Sequence, residues 1–331
     1  MTPNDLARHA EFADQPRLIV AITGATGMIG SALAAFLTAG GHDVRCIGRD
    51  AVSVAATKVS PGARGPAPTD IQWDPARGIL DPRALEGVNA VVHLAGASVS
   101  ERWTAAHKRE ILDSRVLGTA LLARTLAQLD RKPTVLVSAS AIGWYGDRAG
   151  EILVESSVSG TGWLANVARQ WESAADPARA AGIRVVHPRT GVVLAAGGGA
   201  LAKMLPIFRL GAGGRIGGGT HWLSWISLHD TVTALVFMMQ HERAKGPMNL
   251  VAPGPVTNAE FTRVLAHVLH RPAVATVPPF ALSLAFGAEM TREVLLASQR
   301  ALPRALELAG FHFAHPSLEE ALHFELGVPP K

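Results

Sequence analysis

Three glycines spaced three apart, Gly24, Gly27 and Gly30, separate an apolar run at residues 17–23 (RLIVAIT) from a stretch with Leu33, Phe36 and Leu37 on one helical side. A strand that runs through such a turn into a helix is a phosphate cradle. The first glycine permits the tight turn, the second lets backbone approach a pyrophosphate, and the third allows helix and strand to pack closely. The start of the helix, with Ala25, Thr26, Met28 and Ile29 between the glycines, adds free N–H groups and a partial positive charge. The spacing therefore predicts dinucleotide binding. The second strand ends in Gly48-Arg49-Asp50. An arginine there accommodates a ribose 2′-phosphate, whereas an acid takes a free 2′-hydroxyl. Arg49, beside a glycine that leaves room, points to NADP(H); a shift of register by one would bring Asp50 inward instead.

Other chemistries find little support. Cys46 is the only cysteine, which excludes an intramolecular disulfide, and the 13 histidines include no H-E-x-x-H pair, so no metal site is expected. G-x-S-x-G, the turn that exposes a serine nucleophile, is absent. His229-Asp230 has the look of a catalytic pair, but an Asp ahead of an apolar helical run predicts a cap for a helix starting near Thr231. The net charge of +4 comes from scattered Lys and Arg with no basic stripe, so no nucleic-acid partner is expected. Residues 1–16 are polar and lack an apolar signal core, and no window approaches eighteen apolar residues. These features predict a cytoplasmic protein with no membrane partner.

The elements that must hold the cradle follow from the hydrophobic pattern. Strands are expected at 17–23, 43–48, 70–73, 89–94, 134–138 and 183–188, with helices at 104–129 and 164–181 between them. Gly40-Gly41 ends the first helix. Strand–helix alternation with short connections means an α/β fold, a doubly wound parallel Rossmann sheet. A segment at 52–69 rich in Ala, Pro, Gly and Ser reads as a loop. After Leu194 the alternation stops. Stretches at 211–219 read as loops, 225–240 and 258–269 as helical or partly so, 278–304 carries helical spacing, and a last helix starts near Pro316. The expected organisation is a polar arm (1–16), a Rossmann domain (17–195, with 225–252 packing on it) and a smaller, mostly helical C-terminal lobe (196–331). Apolar helix faces left exposed would suit a homodimer.

GATGMIG, HLAGASV at 93–99, SASAIGWYG at 138–146 and HPRTGVVL at 187–194 resemble the extended short-chain dehydrogenases/reductases. ERWTAAHKREILDSR, SWISLHD and APGPVTNAEF narrow the resemblance to the YfcH-type epimerase family, whose members join an NADP-binding Rossmann domain to a small C-terminal domain of unknown function. The resemblance covers nearly the whole chain from about Arg17. It implies that Leu94, Ala95 and Gly96 form a turn passing the cofactor, that Asp74 lies near the adenine, and that Glu110 and Arg115 sit near the cofactor. Those two are five apart, not strictly on one helix face, and a solvated helix-surface network is the other reading. Pro188 and Arg189 match a turn beside the nicotinamide, with packing of that turn as the alternative role for Arg189. Ser138 opens the motif that leads to Ser140, which resembles the serine that hydrogen-bonds the substrate oxygen.

At the catalytic residues the pattern departs. Such enzymes use a Tyr with a Lys four residues on, the Lys lowering the phenol's pKa. Tyr145 is the only tyrosine, Ala149 lies four on, and no lysine occurs between Lys132 and Lys203. Tyr145 either replaces the missing acid or packs with Trp144 at the sheet edge. Two readings follow: an NADP(H)-dependent oxidoreductase or epimerase-like enzyme acting on a small, unidentified substrate, with Arg209, Arg215 and His221 near the glycine-rich stretch to hold an anionic group on it, or an NADP(H)-dependent sensor with little turnover.

Overall fold

The computed structural model describes residues 17–48 and 71–329. Arg49, Asp50 and the 52–69 segment lie outside the described residues, as does the arm at 1–16.

Strand β1 (Ile19–Thr23) leads through the glycine turn into helix α1 (Met28–Ala39), then β2 (Asp43–Gly48), β3 (Ile71–Asp74) and β4 (Ile79–Leu80). Strand β5 (Ala90–His93), helix α2 (Ala105–Gln128), β6 (Val135–Ser138), helix α3 (Trp163–Ser173) and β7 (Arg184–Thr190) follow. Helix α4 (Leu228–Gln240) and β8 (Gly246–Leu250) complete the main sheet. Its order is β8-β7-β6-β5-β1-β2-β3-β4, parallel throughout except for the β3–β4 hairpin, with Ser140–Ala141 added alongside β7. The order reverses between β1 and β5, where Val20 pairs with both Val44 and Ala90. In an open parallel sheet that reversal leaves a crevice beyond the strand ends, where ligands bind.

Alternation along each strand feeds two cores. Val20, Ile22, Val92 and Val137 meet Leu33, Phe36 and Leu37 of α1 and Leu235 of α4. On the other face Ala21, Val91, Leu136 and Val185 meet Leu122 and Leu126 of α2. A third core in the lobe joins Leu205 and Phe208 to Phe261, Leu265 and Leu322.

The sheet is wider than the sequence pattern implies: to the six expected strands it adds β4 and β8 at its two margins and the short Ser140–Ala141 strand beside β7. Gly246–Leu250, not singled out as a strand in the sequence, pairs in parallel with β7 as the outermost strand. Proline is tolerated there because one side of an edge strand needs no donor. Within 211–219, Gly214–Ile216 is a strand paired with Ala275–Val277. The span expected as one helix at 164–181 divides into Trp163–Ser173 and Asp176–Ala180. Residues 225–227 form a strand, and the cap of α4 is Ser227, whose Oγ accepts from the Asp230 amide. Asp230 sits inside the helix's first turn and accepts instead from the amides of Ala314 and His315 (2.8 and 3.0 Å). The expected Asp cap is thus displaced by three residues, because a serine was available immediately before the apolar run.

Candidate functional site at the carboxyl edge of the sheet

The glycine turn is held by contacts that leave no room for side chains. Gly24 has φ +71°, and a Cβ there would stand 2.9 Å from the Leu94 carbonyl carbon and the Ala95 nitrogen. A Cβ on Gly30 would lie 2.2 Å from the Gly24 oxygen. The Gly27 amide donates to the Gly24 carbonyl (3.0 Å), and Gly27 caps α1 without any side-chain hydrogen bond. The first turn of α1 therefore keeps its amides and its dipole for a ligand. Met28 packs toward Gly198 and Gly199, and Thr26, Met28 and Ser31 line a cavity of about 500 Å³ with Ala195, Gly197 and Leu228. Ala25 is buried, Ile29 is half-buried, and Gly48 ends β2 opposite Gln72.

Beside this turn a polar relay fixes the next one. Thr23 Oγ1 accepts from the amides of Leu94 (3.1 Å) and Ala95 (3.2 Å), so its own proton goes to His93 Nδ1 (2.7 Å). The ring proton is then on Nε2 and is donated to Thr119 Oγ1 (2.9 Å). Burial, with a smaller push from Arg115, lowers the His93 pKa to about 4, so the ring is neutral.

Arg115 lies under the Leu94–Ala97 turn. Its Nη1 donates to the carbonyls of Ala97 (2.9 Å) and Ile111 (3.2 Å), and its Cζ is 3.2 Å from where a Gly96 side chain would begin. The guanidinium stacks 4.9 Å from the Trp171 ring and has no carboxylate partner among the described residues. Burial lowers its pKa to about 10, which leaves it charged at neutral pH. Glu110 does not join it: that carboxylate is exposed and pairs with His107 (3.1 Å). Asp74 accepts from the amides of Ala76 and Arg77 in its own turn.

A second cluster lies across β6 and β7. Ser140 Oγ donates to Glu172 Oε1 (2.7 Å). Arg189 grips the same carboxylate through Nε (2.8 Å) and Nη2 (3.0 Å) and stacks 3.9 Å from the Trp144 ring. Burial pulls the Arg189 pKa down, but the Glu172 contacts outweigh it and hold the group above its ordinary value. Tyr145 is 0 % exposed. Its hydroxyl donates to Asn249 Oδ1 (2.7 Å) and accepts from Arg189 Nη1 (3.2 Å). Burial pushes the phenol above its usual pKa despite Arg189. Tyr145 is thus placed as a buried strut beside Trp144, with its hydroxyl already engaged. Ser138 ends β6 with its Oγ buried and unpartnered among the described residues, while Pro188 sits in β7 opposite Met248.

Glu172 and Asn249 were not singled out in the sequence. The available signal for Glu172 is its spacing: Ala165, Ala168 and Glu172 share the buried side of α3, so a carboxylate stands on an apolar stripe. A further carboxylate comes from the C-terminal lobe. Glu293 accepts from the amides of Trp163 (3.1 Å) and Leu164 (2.8 Å) and so caps α3, where Gly162 has φ +107°. Lys108 of α2 pairs with Glu289 (2.7 Å) and stands 4.7 Å over the Trp163 ring.

The sheet order, the turn at its crossover and the lobe over its carboxyl edge define a Rossmann-fold protein of the epimerase and short-chain dehydrogenase/reductase class. The chain belongs to the NAD dependent epimerase/dehydratase family, whose model matches residues 20–251; residues 277–324 match DUF1731, a domain of unknown function. An epimerase family protein of Mycobacterium tuberculosis is 43 % identical over 313 residues, 94 % of this chain and 98 % of that one. The chloroplastic SDR39U1 homolog of Arabidopsis thaliana is 38 % identical over 314 residues, 93 % and 86 % of the two chains. Human SDR39U1, solved with NADPH, superposes with a TM-score of 0.81 at 30 % identity, covering 94 % of this chain and 99 % of that one. No helix of the described residues is long and apolar enough to cross a membrane.

Proposed function

We propose that the protein binds NADP(H) across the crevice between β1 and β5 and works as an oxidoreductase or epimerase-like enzyme on a small substrate held beneath the C-terminal lobe. One juxtaposition carries the reading. The tight glycine turn, the uncapped start of α1 and the uncompensated Arg115 guanidinium converge on that crevice, a setting suited to a diphosphate. NADP rather than NAD is supported by Arg49 in the sequence and by the NADPH-bound human relative.

A bound nicotinamide supplies hydride transfer at its C4. The chain's part is the proton. Because Ser140 commits its own hydrogen to Glu172, its Oγ offers a lone pair to a ligand hydroxyl. As that hydroxyl is oxidised, its proton passes to Ser140 Oγ while the serine proton moves to Glu172 Oε1. Arg189 orients the carboxylate, and Tyr145 holds Arg189. The sealed phenol and the absence of a lysine on α3 favour the second reading, a cofactor-dependent sensor, if no turnover occurs.

Titration with NADPH and NADH, followed by quenching of the seven tryptophans, tests the reading. NADPH is expected to bind at least about tenfold tighter, a preference lost in Arg49→Ala. Binding of neither nucleotide near millimolar concentration overturns both readings. NADPH binding without oxidation or reduction of any of a panel of nucleotide sugars and small hydroxyl or carbonyl compounds selects the sensor.

A further inference from the structure

The lobe carries a face whose composition is unlike the rest of the surface. Of the eleven large hydrophobic side chains left exposed among the described residues, six fall here: Ile207, Leu210, Val274, Phe280, Leu284 and Phe286. Helix Pro279–Phe286 buries none of its residues and carries no charge. The pieces are joined: Gly214–Ile216 pairs with Ala275–Val277, Arg271 Nε donates to the Arg209 carbonyl (2.9 Å), and Pro279 packs against Gly217.

Charge on these segments has one sign. No Asp or Glu occurs between Asp176 and Asp230, nor between Glu260 and Glu289. Arg209, Arg215 and Arg271 are exposed and form no ion pair among the described residues. An apolar patch of this extent on a soluble surface marks an interaction site. A second copy docked by two-fold symmetry would bring two faces of the same positive sign together, at an electrostatic cost. Acidic lipid headgroups fit both features: arginines meet phosphates while apolar side chains enter the acyl boundary.

We propose that this face docks on an anionic phospholipid surface, with helix Pro279–Phe286 lying in the plane of the interface. The expectation of no membrane partner rested on the lack of a spanning segment, and surface docking needs none.

Sedimentation of the full chain with vesicles tests this. Wild type is expected to bind phosphatidylcholine vesicles containing roughly a third phosphatidylglycerol at least about tenfold better than phosphatidylcholine alone, and to release in high salt. The double variant Phe280→Ser/Leu284→Ser is expected to lose binding by about fivefold or more, through lost apolar burial. The triple variant Arg209→Gln/Arg215→Gln/Arg271→Gln is expected to lose the salt dependence. Wild-type far-UV circular dichroism and thermal midpoint in both variants show that the fold is kept, since all five side chains are exposed. Failure of wild type to sediment, or binding that neither variant changes, overturns the proposal. A dimer seen by light scattering that Phe280→Ser/Leu284→Ser dissolves, without lipid binding, overturns it in favour of a second copy.

Discussion

Arg189 is buried and Arg115 half-buried near the carboxyl ends of the strands, and their surroundings are opposite. Arg189 is held by both oxygens of Glu172, stacks on Trp144 and donates to Tyr145. Arg115 meets only backbone carbonyls and an indole face. Burial lowers the pKa of one while an ion pair raises that of the other. A buried cation with its counter-ion built in is part of the frame. One without it leaves its electrostatic demand open to a ligand, and the contrast separates the cluster that shapes the site from the group that waits for an anion.

The largest test of this contrast removes the built-in partner. Glu172→Ala strands Arg189, and chemical denaturation is expected to show a loss of about 3–5 kcal/mol. Acid comes next. Folded His93 has its pKa depressed to about 4, against about 6.5 when unfolded, so the folded state binds fewer protons between those values. Its contribution is present above about pH 6.5 and falls by about 3 kcal/mol as pH drops to 4. Arg115→Met, which removes the charge that helps depress it, is expected to shrink this loss. The same variant sharpens the comparison at neutral pH: stability should change by less than about 1 kcal/mol while the NADPH dissociation constant rises at least about tenfold. If instead Arg115→Met destabilises the fold as strongly as Glu172→Ala, the two arginines are not different in kind. The smallest effect is expected for Glu293→Gln, about 1 kcal/mol, with faster amide exchange at Trp163 and Leu164 while NADPH binding is kept.

What could be read from the sequence divides along the same line. The phosphate turn is local: three glycines within seven residues, a strand before and a helix after, so type and spacing carried it. Arg115 was placed near the crevice by resemblance, while its missing counter-ion is visible only once α2 and α3 are packed. Ser140, Tyr145 and Arg189 stood in motifs of the resemblance, but nothing local joins them to Glu172 and Asn249, because the members of this cluster meet through strand register and helix docking across more than a hundred residues. Tyr145 stood out for being the only tyrosine, and rarity proved a poor guide to exposure. Strand β8 escaped because its Gly-Pro start carries turn chemistry, which only its edge position makes compatible with pairing.

That edge position has another side. A long parallel sheet presents two margins of unpaired backbone, each a template on which another chain's strand can grow. Here one margin is closed by the two-residue β4, which turns antiparallel to its neighbour. The other carries Pro247, which has no amide hydrogen to offer a newcomer. A crowded solution of this protein should therefore resist strand-by-strand aggregation from either side, and its associations should run through side chains, not shared backbone.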